Sequence, residues 1–129
     1  MINYEFDVII AISRGGLLPA LLLSHKYNCK NIQIISMESY VNNQQSKLKL
    51  INNNLNILNK KVLIVDDLVD TGNTLAKSVK LCKDAIEIKT YVWLYKEGSK
   101  IIPDFYEKKI NDEWINFKYE TDFDYKNYI

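Results

Sequence analysis

The sequence predicts an α/β fold, a mostly parallel twisted sheet flanked by helices. Two apolar runs, Val8-Ile9-Ile10-Ala11-Ile12 and Val62-Leu63-Ile64-Val65, are continuous rather than alternating, as expected of inner strands covered on both faces. Each run stops abruptly in small or charged residues and is followed by a segment of helical character. The order that results, strand, helix, strand, strand, helix, strand, is that of parallel strands joined by right-handed crossovers.

Each element has its own justification. Phe6 to Ser13 reads as the first buried strand, and Arg14-Gly15-Gly16 breaks it. Leu17 to Tyr27 follows as an apolar helix, with Pro19 tolerated in the first turn and Asn28 as a stop signal. A second strand runs from Asn31 to Ser39. Val41 to Asn59 is dominated by Asn and Gln with isolated leucines and no firm period, so this long connection reads as mobile or functional. The strand Val62–Val65 ends in Asp66-Asp67, and Asp70-Thr71-Gly72-Asn73-Thr74 opens a helix whose apolar positions are Leu75, Val79, Cys82 and Ile86. A fourth strand, Ile88 to Tyr95, ends at Lys96. Beyond Pro103 aromatic and charged residues dominate, and the two- and four-residue spacing of Phe117, Tyr119, Phe123 and Tyr125 suits extended structure.

Length and composition bound the function. The 129 residues fit one domain, with a core over about 6–100 and a small C-terminal hood over about 101–129. A hydrophobic share of 47% excludes wholesale disorder. Seventeen Lys plus Arg against 16 Asp plus Glu, with no basic stripe, argue against holding nucleic acid by phosphate neutralisation. The apolar runs are shorter than the roughly 20 residues that cross a bilayer, so no membrane span is expected. Glu5 and Asp7 precede the first run where a secretory signal would be basic, and Cys29 and Cys82 lack metal or redox spacing. Free thiols in a cytoplasmic protein are the expectation. His25 reads as a structural side chain of the apolar helix.

In an open parallel sheet, ligands bind at the carboxyl ends of the strands. Ser13-Arg14-Gly15-Gly16, Ser39-Tyr40, Asp66-Asp67 and Lys96 all fall at such ends. Adjacent carboxylates raise each other's pKa and resist burial, so hydroxyl pairs, a hydrated cation or lysines should face them. Successive strand side chains point to opposite faces, which gives Asp66 and Asp67 different roles. A plainer reading, in which the pair caps the strand and pairs with lysines, stays open. The polar stretch Asp70 to Thr74 at a helix start suits an anion such as a phosphate monoester, although Thr and Asp are also ordinary N-caps. Neither GxxxxGK[ST] nor GxGxxG is present.

Val62-Leu63-Ile64-Val65-Asp66-Asp67-Leu68-Val69-Asp70-Thr71-Gly72-Asn73-Thr74 resembles the phosphoribosyl pyrophosphate motif of type I phosphoribosyltransferases along its whole length. Ile9 to Pro19 and Asp112-Glu113-Trp114-Ile115 resemble the small bacterial xanthine-guanine and hypoxanthine members, so the similarity runs from about residue 8 to residue 120. The resemblance implies transfer of a 5-phosphoribosyl group to a 6-oxopurine with release of pyrophosphate, and Mg²⁺ as cofactor. It implies that Asp66 and Asp67 hold the ribose hydroxyls, with Asp67 associated with Mg²⁺, and that Asp70, Thr71, Gly72, Asn73 and Thr74 bind the 5′-phosphate. By the same likeness Asp70 handles the proton at purine N7, and Arg14 and Gly15 contact pyrophosphate in a loop where the family often has a non-proline cis peptide. Lys96 matches the lysine that reads the 6-oxo group, Trp114 an aromatic stacked on the base, and Ile115 a backbone that reads the base edge. Ser39 and Tyr40 match the start of a loop that covers the reacting centre. Lys96 has a plainer reading as a strand-end lysine, and Trp114 as a core or interface aromatic.

Departures from the family pattern are local. Ser46 and Lys47 lie near the position of a lid arginine, Glu97-Gly98 follows Lys96 where a proline is usual, and Tyr119-Glu120 only approximates the family's aromatic-acidic ending. The bacterial members carry a helical segment ahead of the first strand, so something else must cover that side of the core here. The family commonly forms dimers or tetramers, which implies a homo-oligomer. Two alternatives stay open at this point: a non-catalytic regulator that binds phosphoribosyl pyrophosphate or a nucleotide on the same fold, and an enzyme acting on a pyrimidine or another acceptor.

Overall fold

The two apolar runs form the central pair of the sheet in the computed structural model, which describes residues 2–52, 54–113 and 115–128. β1 (Val8–Ser13) leads through α1 (Leu17–Lys26) to β2 (Ile32–Asn42), and β3 (Gln45–Asn52) turns back beside it. β4 (Lys61–Val69) leads through α2 (Asn73–Leu81) to β5 (Glu87–Lys96), and β6 (Phe105–Ile110), α3 (Lys118–Thr121) and a 3₁₀ turn (Tyr125–Tyr128) complete the described chain. The strand order is β3-β2-β1-β4-β5-β6, parallel throughout except for β3.

The continuous apolar runs are explained by cover on both faces. Val8, Ile10, Ile12, Val62 and Ile64 join Leu75 and Cys82 of the α2 side in one core cluster. Ile9, Ala11, Leu63 and Val65 join Ala20 and Leu23 of α1 in the other. Each fully buried Ile or Leu here contributes roughly 1.5–3 kcal/mol of hydrophobic stabilisation. On the α1 side, Ile2, Tyr4 and Phe6 pack into the same cluster, and the Ile2 N–H donates to the Tyr27 hydroxyl at 2.8 Å. That segment therefore covers part of the α1-side core.

Several elements differ from expectation. The Asn/Gln-rich connection is a hairpin: β3 pairs antiparallel to β2, with Met37 opposite Leu50 and Ser39 opposite Leu48. Asn43 and Gln44 take φ of 51° and 65°, the left-handed pair that closes a two-residue hairpin, and Leu50 packs on the core. Phe105–Ile110, inside the segment read as a hood, is an edge strand parallel to β5. Its polar middle, Tyr106 to Lys109, is exposed, as edge strands often are. Helix α2 stops at Leu81, so Ile86 lies outside it and is exposed. The aromatic tail is not extended at Lys118–Thr121 but helical, where the Phe117 N–H donates to the Glu120 carboxylate at 3.2 Å. His25 is exposed in the last turn of α1 rather than packed.

Candidate active site

β1 and β4 are neighbours whose chains leave in opposite directions, β1 through α1 toward β2 and β4 through α2 toward β5. The crevice between their carboxyl ends is the topological switch point, where open parallel sheets bind ligands. Ser13 to Gly16 and Asp66 to Thr74 flank it.

Alternation along β4 separates the two carboxylates. Asp66 continues the Val62, Ile64 face toward α2, and Asp67 continues the Leu63, Val65 face toward α1. Asp66 is only 9% exposed and accepts the Asp67 backbone N–H at 2.8 Å. Burial, and then the neighbouring Asp67 carboxylate, push its pKa well above the ordinary carboxylate range. It lines a small cavity of about 110 Å³ with Asp70, Thr71, Gly72 and Thr74. Gly72, at φ 91°, is the N-cap of α2 and makes no side-chain cap, which leaves backbone N–H groups of the first turn to face an anion. The Lys100 N–H braces the loop from outside by donating to the Thr71 carbonyl at 2.9 Å, and within the loop the Asn73 N–H donates to Thr71 Oγ1 at 3.3 Å.

Asp67 opens instead into a pocket of about 830 Å³ lined by Arg14, Gly15, Leu17, Leu18, Tyr119, Glu120 and Phe123. The Ser13–Arg14 peptide is cis. Gly15 lies flat against the Asp67 carboxylate, so closely that a Cβ there would overlap all three carboxylate atoms. Tyr119 donates its hydroxyl to Asp67 Oδ2 and approaches the Gly15 carbonyl at 3.4 Å. Burial and the Asp67 contact raise the Tyr119 pKa far above its usual value, which keeps the phenol protonated as a donor. A ring chain anchors it, with Trp93 5.8 Å from Phe117 and Phe117 stacked on Tyr119 at 5.5 Å.

A third pocket, about 350 Å³, joins Asp70 and Thr71 to Lys96, Glu97, Gly98, Lys100 and Asp112. The Lys96 side chain is 14% exposed and its Nζ stands 3.6 Å from Asp70 and 3.8 Å from Asp112. The largely buried ammonium lies between two carboxylates, positioned to donate to an acceptor that enters beside it.

Residues 2–126 match the phosphoribosyl transferase domain. The chain belongs to the phosphoribosyl transferase domain family. A xanthine-guanine phosphoribosyltransferase of Idiomarina loihiensis is 30% identical over 125 residues, covering 94% of this chain and 75% of the relative. Among solved structures, a purine phosphoribosyltransferase of Pyrococcus horikoshii superposes with a TM-score of 0.75 at 33% identity, covering 89% of this chain and 81% of that one. A Helicobacter pylori xanthine-guanine-hypoxanthine phosphoribosyltransferase gives 0.80 at 25% identity over 96% and 82% of the two chains. The sheet with its antiparallel edge and flanking helices is the fold of these phosphoribosyltransferases.

Within this family fold, Arg14, Gly15, Asp66, Asp67, Asp70, Thr71, Gly72, Thr74 and Lys96 line three pockets, two of which share Asp70 and Thr71. Asn73 lies in the same loop but faces solvent, and half-buried Ile115 lines none of the three. Ser39 and Tyr40 are carried on the exposed hairpin, paired with Leu48 and Lys47, and line none of them either. Trp114 and the side chain of Ser46 lie outside the described residues. Sequence reasoning assigned no role to Tyr119 or Asp112. Both fall in the C-terminal stretch that carries the resemblance, and that position was the available signal.

Proposed function

We propose that the protein transfers the 5-phosphoribosyl group from phosphoribosyl pyrophosphate to a 6-oxopurine (guanine, xanthine or hypoxanthine), releasing pyrophosphate, in purine salvage. The single observation that carries this is Lys96, held between Asp70 and Asp112 beside the phosphate loop. An ammonium there donates to a 6-oxo oxygen, whereas an adenine amino group would leave it unpaired. On this reading the base sits next to Asp70, which handles the proton at N7, and the family resemblance assigns its stacking to Trp114 and the reading of its edge to the Ile115 backbone.

The remaining residues divide the sugar. The α2 N-terminus and the Thr71 and Thr74 hydroxyls, with Asp70, Gly72 and Asn73, take the 5′-phosphate; Asp66 and Asp67 take the ribose hydroxyls; Arg14 and Gly15 take pyrophosphate. Cleavage at the anomeric carbon passes through an oxocarbenium-like state, so water must be excluded, and Ser39 and Tyr40 on the hairpin contribute to that cover. Mg²⁺ fits a hard carboxylate oxygen of Asp67, with the other ligands coming from substrate phosphates and water, as is usual for this ion. It supplies charge neutralisation for the departing pyrophosphate. No helix among the described residues is long and apolar enough to cross a membrane. A cytoplasmic setting accords with that, and the exposed Leu17, Leu21 and Leu22 of α1 support self-association as a dimer or tetramer.

The test is nucleotide formation from phosphoribosyl pyrophosphate and Mg²⁺ with guanine, hypoxanthine, xanthine, adenine and uracil assayed side by side. Product with at least one 6-oxopurine and none with adenine is expected. No nucleotide from any base would overturn the proposal.

A further inference from the structure

We propose that Tyr119 is a latch: its hydroxyl holds the C-terminal tail on Asp67, and substrate loading and tail docking compete for the same carboxylate oxygen. The inference rests on the phosphoribosyl-transfer reading, which places a ribose hydroxyl or a divalent cation on Asp67.

The geometry leaves that carboxylate few free directions. One face is closed by Gly15, whose Cα is so near that no Cβ fits between them. Oδ2 is taken by the Tyr119 hydroxyl, which also lies 3.4 Å from the Gly15 carbonyl and so ties the tail to both walls of the switch-point crevice. A carboxylate oxygen that accepts a phenol has given up a lone pair a cation or sugar hydroxyl would need. The tail is built to report the exchange. Tyr119 lies in the short helix α3, and its described contacts inward run through Phe117 and the ring of Trp93 on β5. Glu120 and Phe123, beyond Tyr119, line the same 830 Å³ pocket as Arg14, so release of the hydroxyl moves the pocket's outer wall. Tyr119→Phe retains the stacking surface and deletes the hydroxyl.

The experiment compares the parent and Tyr119→Phe by amide hydrogen exchange of residues 115–127 and by calorimetric titration with Mg²⁺·phosphoribosyl pyrophosphate. A hydrogen bond to a charged group of this exposure corresponds to about a five- to thirtyfold effect. Without added ligand, tail exchange is expected to accelerate by that factor in the variant. With ligand, the parent's tail is expected to loosen, and the variant to bind about five- to thirtyfold more tightly. Equal tail exchange in the two unliganded proteins, a parent tail that becomes more protected on binding, or weaker binding by the variant each overturns the latch. Failure of the parent to bind the ligand at all overturns the transfer reading, and that outcome is distinct because the first comparison contains no ligand.

Discussion

Gly15 and Gly16 are adjacent, yet the structure assigns them different jobs, and substituting each by Ala separates site from scaffold. A Cβ on Gly16 would collide with backbone, namely the carbonyl oxygens of Val65 and Ile12 and, at 2.8 Å, the Ile12 nitrogen. Those atoms belong to the central strands β1 and β4 and cannot yield without parting the sheet. The three atoms nearest to a Cβ on Gly15 all belong to the Asp67 carboxylate, the end of a side chain. Asp67 can turn aside, but in doing so it gives up the hydroxyl of Tyr119. That relief costs about 1–2 kcal/mol, the net worth of one hydrogen bond to a half-exposed charge. For a domain of this length the loss corresponds to a Tm lowered by roughly 4–8 °C. Activity suffers far more. A reacting-site carboxylate displaced by about 1 Å costs on the order of 100-fold in rate.

Thermal unfolding and steady-state nucleotide formation, measured on both variants, check this. Gly15→Ala is expected to remain folded with kcat/KM for phosphoribosyl pyrophosphate reduced about 100-fold. Gly16→Ala is expected to lose stability beyond the several kcal/mol that a domain can spare. A Gly15→Ala protein within about threefold of parental kcat/KM would refute the reasoning, because Asp67 would then tolerate displacement. A stable Gly16→Ala would refute the backbone part independently.

Other expectations follow from single contacts. Burial and Asp67 raise the folded-state pKa of Asp66, so the folded protein binds more protons than the unfolded chain above the ordinary carboxylate range. Stability from this group is therefore fully present at low pH and is lost as pH rises through the raised pKa; Asp66→Asn, which retains an acceptor for the Asp67 N–H, should flatten that dependence in Tm measured from about pH 4 to 7. Asp104 accepts the Thr90 N–H at 2.9 Å and the Thr90 hydroxyl at 3.1 Å, bracing β6 against β5 away from the three site pockets. Asp104→Ala leaves the nearly buried Thr90 short of partners and should cost about 1–3 kcal/mol by denaturant unfolding, with KM for both substrates unchanged in the folded protein.

The central strands and their carboxyl-end residues were legible because burial on both faces writes itself as an unbroken apolar run, and Asp66-Asp67 interrupts that run where hydrophobicity alone would continue it. What escaped was structure whose stabilisation is not apolar. β6 is an edge strand with a charged, exposed middle, so no hydrophobic pattern marks it. The β2–β3 hairpin depends on the left-handed backbone of Asn43 and Gln44 and on Leu48 and Leu50 two residues apart, a weak alternation inside a polar stretch. The tail helix is set by a side chain bonding back to the backbone, Glu120 to Phe117, rather than by aromatic spacing. In the site, the phosphate loop is local in sequence and could be read as a unit. The Tyr119–Asp67 contact spans 52 positions and exists only because the sheet brings β4 and the tail together, so no local signal could have announced it.

The division between Asp66 and Asp67 also explains why adjacent carboxylates are useful here despite their mutual repulsion. Strand alternation sends one to the α2 side, among the phosphate-loop residues, and the other to the α1 side, among Arg14 and Gly15. On the proposed reading, a ribose whose 5′-phosphate lies at α2 and whose pyrophosphate lies at Arg14 bridges those two sides of β4, so that its two hydroxyls meet one carboxylate each. A single acidic residue at this strand end could serve only one face. The repulsion has a further consequence: with Asp66 pushed toward its neutral form and Asp67 held by a phenol donor, the pair avoids carrying two unscreened charges together. Sugar hydroxyls and a divalent cation can relieve the same repulsion when they arrive. Binding of the sugar and ionisation of the pair therefore favour one another, and on this account the affinity for phosphoribosyl pyrophosphate rises with pH through the raised pKa of Asp66.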